Sequence, residues 1–315
     1  MNDITSLEIA NAEIVCYADD TAIIFHGNNW ESAQRNAEIG MATVSNWLNN
    51  NLLTLNTSKT KFVNFFKTNS SAPSYTNTRN LKIHSFYCPN HPSSIATSHN
   101  LSCNCNSISK TDSVRYLGII LDEKLNFKKH IDSVSGRVRK LASIMRLLRP
   151  SADPDLLKSV YIALCQSIIT YCITSWGGIA TSTLLQLERS QRCVLKVMLF
   201  KNRLFSTELL HQQSDTLSVR QLYIQNILLT AHKSVLNSDD YKILSQRRVF
   251  KIPVPFSKTS FAHHYNAFLR PFVYNKAVKC CDIKYSTTRE AKAKIRFWLK
   301  TLDYQSTEKL IRVVQ

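Results

Sequence analysis

Glu13-Ile14-Val15-Cys16-Tyr17-Ala18-Asp19-Asp20-Thr21-Ala22-Ile23-Ile24-Phe25 is the stretch whose reading decides the fold. Two arms rich in β-branched and aromatic residues flank a polar centre, which predicts two short strands joined by a turn. The turn carries two adjacent carboxylates. Like charges that close repel, so such a pair needs a cation beside it or a well-solvated position. Magnesium, a hard ion, takes oxygen ligands and commonly uses one or two carboxylates together with substrate phosphates. Two metal ions about 3.5–4 Å apart can activate an attacking hydroxyl and steady a leaving group. An ordinary solvated Asp-Asp turn would have the same local sequence, so the pair by itself does not choose between the readings.

Beyond the hairpin, Asn29 fits a helix N-cap, and Trp30, Ala33, Ala37, Met41, Val44 and Leu48 follow at helical spacing until Asn49-Asn50-Asn51. Leu52 to Leu55 and Phe62 to Phe66 read as another pair of strands around Asn56–Lys61. The order strand, turn, strand, helix, strand, strand predicts an α+β layer: a partial antiparallel sheet with a helix packed on one face. Residues 67–113 are polar and read as a loop or a long hairpin excursion. Val114 to Leu121 reads as one strand containing Gly118.

The pattern then turns helical. Ile131, Val134, Val138, Leu141, Met145 and Leu148 form one stripe, ended by Pro150. Asp153-Pro154 starts a second helix, with Leu157, Val160, Tyr161, Leu164 and Ile168 inside. Gly177-Gly178 breaks the chain. Leu184 to Met198 marks a third helix and Val219 to Ser234 a fourth. From about Asp239 the patterns weaken, although residues 286–313 carry the signs of a basic amphipathic helix around Ile295, Phe297 and Trp298.

Charge is divided unevenly along the 315 residues, whose formal net charge is +18. Residues 1–55 hold one basic residue, Arg35, and seven acidic ones; residues 56–315 hold 39 basic and 15 acidic. A small acidic segment before a long basic one suits a metal site next to a nucleic-acid track, in preference to a merely high isoelectric point. Nine scattered cysteines and a neutral, polar start, Met1-Asn2-Asp3-Ile4, point to reduced thiols in an intracellular compartment, nuclear or cytoplasmic, without a secretory signal. Gln166, Ser167, Thr170, Thr174 and Ser175 interrupt the most apolar stretch, so no membrane span is expected.

Cys16-Tyr17-Ala18-Asp19-Asp20-Thr21 between apolar strands resembles the palm motif of reverse transcriptases. Further matches follow in order. Leu55-Asn56-Thr57-Ser58-Lys59-Thr60-Lys61 before Phe62 is similar to the next palm motif, and Arg115-Tyr116-Leu117-Gly118-Ile119 resembles the primer grip. Leu125-Asn126-Phe127 and His130-Ile131 lead into thumb-like helices. Tyr171-Cys172-Ile173-Thr174-Ser175-Trp176-Gly177, continued by Leu187 to Lys196, is similar to the thumb region of jockey-like non-LTR retrotransposons. The order and spacing of the motifs carry the resemblance, which covers about residues 1–235.

The resemblance implies three segments: a partial palm at 1–122 with the Cys-containing insertion 67–113, a helical thumb-like region at 123–236, and a basic C-terminal segment of undetermined fold at 237–315. It implies RNA-directed DNA polymerisation in the full-length parent, with two magnesium ions, an RNA template and a DNA primer. Asp19 and Asp20 would bind the metals. Lys59 would meet the departing pyrophosphate, and Tyr17 would lie beside the primer terminus. Tyr116, Leu117 and Gly118 would grip the primer, and Lys128, Lys129, Arg137, Arg139, Lys140 and Arg192 would line the duplex. The family's upstream aspartate strand, its Pro-Gln-Gly segment and its fingers have no counterpart in the sequence. The expectation is therefore an inactive fragment without the N-terminal part of the parent, and an exposed apolar sheet edge in the first 60 residues. The alternative is a nucleic-acid-binding remnant without enzymatic function, or a truncated copy with no function.

Cys88, His91, His99, Cys103 and Cys105 are zinc-type ligands, and Cys88-x2-His91 is a usable spacing. Cys103-x-Cys105, however, is tight for a two-ligand knuckle, and the set matches no standard finger. Spacing alone thus favours a polar insertion with free thiols, and a zinc site at Cys88, His91, Cys103 and Cys105 is the lesser reading.

Overall fold

The computed structural model describes residues 3–66, 80–84, 88, 103–237, 251–257 and 262–312. The fold is α+β, and the chain divides into two compact units, Met1–Phe127 and Lys128–Gln315.

In the first unit β1 (Ala12–Tyr17) and β2 (Asp20–Phe25) pair antiparallel, from Ala12↔Phe25 to Tyr17↔Asp20. Only Ala18 and Asp19 remain for the loop. Helix α1 (Trp30–Asn50) begins on a capping box: Asn29 Oδ1 accepts from the Ser32 amide at 2.7 Å, and Ser32 Oγ from the Asn29 amide at 3.1 Å. Its buried face is Gly40, Met41, Val44 and Leu48. Gly40 lets β2 come close, since a Cβ there would lie 2.3 Å from the Phe25 ring.

A second sheet has the order β3-β5-β4 (Lys61–Phe62, Ser107–Lys110, Leu81–Lys82). β3 runs parallel to β5, and β4 antiparallel to it. Met41, Leu81, Ile83 and Ile108 form the core beneath α1, with Ile23, Phe25, Ala37, Leu55 and Phe62 packed around them.

Three expected strands come out differently. Leu52–Leu55 is not a strand. Leu52 has φ 57°, Leu53 N–H donates to the Leu48 carbonyl, and Leu52 N–H to that of Asn49. These are the bonds of a Schellman motif, which satisfies helix-end carbonyls through one left-handed residue. The Phe62–Phe66 strand shrinks to Lys61–Phe62. Val114–Leu121 is a hairpin, β6 (Ser113–Tyr116) and β7 (Ile119–Asp122), turning at Leu117 and Gly118 with φ 44° and 81°. Positive φ at both loop residues is the signature of a type I′ turn, which matches strand twist and suits glycine.

The second unit is helical. α2 (Lys128–Leu148) packs on α6 (Thr181–Met198). α3 (Pro154–Val160) starts where Asp153 caps the Leu156 amide at 2.7 Å, then passes through a π-helical stretch, Tyr161–Gln166, into α4 (Ser167–Thr170). The wider π turn changes which residues face inward. Leu157, Tyr161, Cys165 and Ile169 are buried at every fourth position, while Leu164, expected inside, is exposed.

Short α5 (Ile173–Trp176) buries Trp176, whose indole N–H donates to the Tyr171 carbonyl at 3.0 Å. After α7 (Thr207–Gln213), helix α8 (Val219–Leu236) is buried on nearly every side. Residues of the 237–315 segment complete this unit: α9 (Asn266–Cys280) and α10 (Thr288–Lys300) both pack on α8, and α11 (Tyr304–Ile311) joins them. Among the described residues, no helix is long and apolar enough to cross a membrane.

Polar groups pin these helices together. Arg220 is buried on α8. It reaches Glu308 Oε1 at 2.7 Å, the Gly177 carbonyl at 2.7 Å and the Ile179 carbonyl at 3.2 Å. His232 is likewise buried, with Nε2 2.8 Å from the Ser286 carbonyl and Nδ1 2.8 Å from the Tyr274 hydroxyl. A carbonyl only accepts, so Nε2 donates to Ser286. Asp215 gathers Lys158, Arg296 and Lys300 from two helices.

Candidate metal-binding turn and basic helical face

The β1–β2 register puts Tyr17, Ala18, Asp19 and Asp20 at the tip of one hairpin, all exposed. Ala18 has φ 52°, a left-handed conformation that disfavours any side chain. The turn thus holds its strained residue directly before the two carboxylates, where strain often marks a functional position. Neither aspartate forms an ion pair among the described residues. Their donor chemistry suits magnesium. Among the described residues, no third histidine, cysteine or carboxylate joins them in a metal-holding group. The pair therefore matches magnesium in kind and falls short of a two-metal clamp in number.

The other candidates of the first unit lie on separate turns. Lys59 is exposed at the end of a turn that Asn56 closes, with Asn56 Oδ1 accepting from the Lys59 amide at 3.1 Å. No hydrogen bond or ion pair links Lys59 to Asp19 or Asp20 among the described residues. Tyr116, Leu117 and Gly118 make the tip of the β6–β7 hairpin, with Gly118 exposed. Gly118 is a turn residue there, not a bulge within a strand.

Sequence reasoning missed Asp122. Its buried carboxylate accepts from the amides of Lys124 at 3.2 Å, Asn126 at 3.1 Å and Phe127 at 2.7 Å. Those bonds hold a turn in which Leu125 (φ 50°) and Phe127 (φ 55°) are both left-handed. The signal was present: an aspartate before a short polar run without glycine, where side-chain oxygens commonly replace a regular turn's backbone bonds.

On α2, Lys128, Lys129, Arg137, Arg139, Lys140 and Arg146 are exposed, opposite the buried Ile131, Val134, Val138 and Met145. Lys128 and Arg139, like Lys129 and Lys140, stand eleven residues apart. That is three helical turns, so each pair shares a line about 16 Å long. The exposed Arg189 lies on α6. Three other cations serve the protein itself. Arg149 lies 4.3 Å from the Phe200 ring centre and donates to the Val197 carbonyl at 3.0 Å. Lys196 donates to the Arg203 carbonyl at 2.6 Å. Arg192, expected to touch the duplex, is half-buried, and its charge acts on the interior groups Glu188 and His211. Burial raises the Glu188 carboxyl above its usual range, opposed by Arg220 and Arg192. Burial, reinforced by Arg192, lowers His211 to about 4.

Residues 1–121 match the family described as reverse transcriptase (RNA-dependent DNA polymerase). The acidic hairpin, α1, the β3-β5-β4 sheet and most of the β6–β7 hairpin fall within that match. The match lies within the first unit. No curated protein and no solved structure matches the chain.

Proposed function

We propose that this chain is part of the polymerase of a non-LTR retrotransposon, in which Asp19 and Asp20 hold magnesium and the basic face of α2 holds the RNA–DNA primer–template. The observation that carries the reading is the Tyr17↔Asp20 register, which presents both carboxylates on an exposed turn inside the reverse-transcriptase segment. Lys59 stands for the pyrophosphate and Tyr116-Leu117-Gly118 for the primer, by the resemblance of their motifs. With no third carboxylate beside the pair among the described residues, this reading makes the chain a nucleic-acid binder that does not extend a primer by itself. This puts the non-enzymatic remnant in the same experiment as its parent.

Primer extension on a homopolymeric RNA template, with magnesium, tests the reading beside a gel shift over a salt series. The expected result is binding without extension, with affinity falling steeply as salt rises. Removing one phosphate-binding cation should flatten the slope of log K against log salt by about 0.9 on a B-form duplex. Lys129→Glu with Lys140→Glu should weaken binding and flatten that slope. Extension that Asp19→Asn abolishes would restore the chain to full enzyme. Salt-independent or absent binding would remove the basic face from the proposal.

A further inference from the structure

Outside the acidic hairpin, a second set of ligand-type side chains converges in the first unit. His84, Cys88, Cys103 and Cys105 each offer a donor atom, and all four donors lie within 4.8 Å of one another. His84 Nδ1 is 3.4 Å from Cys88 Sγ and 3.7 Å from Cys103 Sγ. A tetrahedral zinc ion with Zn–S about 2.3 Å and Zn–N about 2.0–2.1 Å separates its donors by about 3.5–3.8 Å. These two spacings are close to those of a zinc site, and no pair in the group would have to close by more than about 1–1.3 Å.

Backbone geometry explains how the set forms. β4 and β5 pair antiparallel with Leu81↔Ile108 and Lys82↔Ser107, and the Ile83 amide continues the ladder to the Asn106 carbonyl at 2.8 Å. One step further His84 stands opposite Cys105. Alternate residues of an extended strand share a face. The Cys103-x-Cys105 spacing, tight for a knuckle, therefore puts both thiols on the side that His84 faces. Cys88 enters from the chain that follows His84. The expected ligand His91 lies outside the described residues, as does His99; His84, absent from the sequence reading, completes the set.

We propose that His84, Cys88, Cys103 and Cys105 bind one zinc ion in a structural site. Three sulfurs and one imidazole are the donors that a closed tetrahedral zinc site uses, leaving no open position for a substrate. His84 and Cys88 are buried and the other two half-buried, so the ion is shielded. Zinc with three thiolates carries one net negative charge, and Lys82 Nζ lies 3.9 Å from Cys103 Sγ to offset it. The ion would clamp the open end of the β4–β5 pair, beside core residues Leu81, Ile83 and Ile108. The inference rests on these residues alone and stands or falls independently of the polymerase reading.

The test is metal analysis of the full chain, purified under reducing conditions, with cobalt(II) replacing zinc as a spectroscopic probe. About one zinc per chain is expected, with visible cobalt bands of tetrahedral intensity and strong sulfur-to-cobalt charge transfer. Cys103→Ser and His84→Ala should lose the zinc; His91→Ala and Cys193→Ser, at an exposed cysteine of the second unit, should keep it. Because a zinc-ligand variant could misfold, chelation of the wild-type chain provides a second readout: its first unit should melt at a lower temperature and recover when zinc is returned. No zinc and no cobalt bands in the folded, reduced chain would overturn the proposal. Zinc that His91→Ala loses and His84→Ala keeps would overturn the ligand set.

Discussion

Leu52 and Ala18 show how single residues carry backbone roles that their side chains oppose. Leu52 is 95% exposed, so it packs against almost nothing, yet it occupies the left-handed position of the Schellman motif. Leu52→Gly should stabilise the chain by about 1 kcal/mol, read as a shifted urea midpoint at constant slope. Arg220 is the opposite case. Both it and Glu308 are buried, and removing one partner leaves the other charge uncompensated. Arg220→Met should lower stability by about 3–5 kcal/mol, measured by urea unfolding, with the double variant Arg220→Met/Glu308→Leu recovering part of the loss. His211 titrates below its unfolded value, so the unfolded chain binds more protons between about pH 6.5 and 4. Its destabilising effect grows as pH falls through that window and reaches about 2–3 kcal/mol. His211→Gln should flatten the stability profile there relative to the wild type, while the profiles run parallel above pH 7.

Among elements, the Asp122 turn and the α3–α4 helix show what spacing rules leave out. Asp122 satisfies three amides that lead into α2. Asp122→Ala should cost about 2–3 kcal/mol, and hydrogen exchange at the Lys124, Asn126 and Phe127 amides should accelerate first. In α3–α4 an unbroken 3.6-residue period predicts Leu164 and Ile168 inside; the π-helical stretch puts Cys165 and Ile169 there instead. Periodicity located this helix correctly and misassigned its second half, because a 3.6-residue period does not anticipate the wider turn. The β1–β2 hairpin has no third strand among the described residues, and Val15, Tyr17 and Ile24 are exposed. Amides of β1 and β2 should exchange faster than those of α8, and equal protection in both would contradict this difference.

Across the whole molecule, the two units rest on different kinds of core. The first has thin sheets under one helix, with a small cluster around Met41, Leu81, Ile83 and Ile108. The second surrounds α8, whose Leu222, Tyr223, Ile224, Ile227 and Leu228 are fully buried. Close packing there depends on Gly177, where a Cβ would fall 2.3 Å from the Tyr223 ring. Gly177→Ala should destabilise the second unit by about 1–3 kcal/mol, measured as loss of helical signal on heating, without changing protection in the first.

The sequence by itself determined the acidic hairpin, the caps at Asn29 and Asp153, the α1 and α2 stripes, and a basic surface. Each of these depends on residues within a few positions of one another. Tertiary structure decided the rest. Within the 237–315 segment the basic helix around Ile295 was legible, whereas α9 was not, because Pro271 lies inside it and its aromatic residues blur the stripe; packing on α8 selects Leu269, Val273, Tyr274 and Ala277 for burial. His84 joined the cysteines only through the β4–β5 register, which brings together residues some 20 positions apart in the chain. The two aspartates of the opening hairpin were visible from the start because their turn is local. A metal site needs several donors from distant segments, and only the folded chain shows that, among the described residues, the sulfur and imidazole set gathers four while the carboxylate set gathers two.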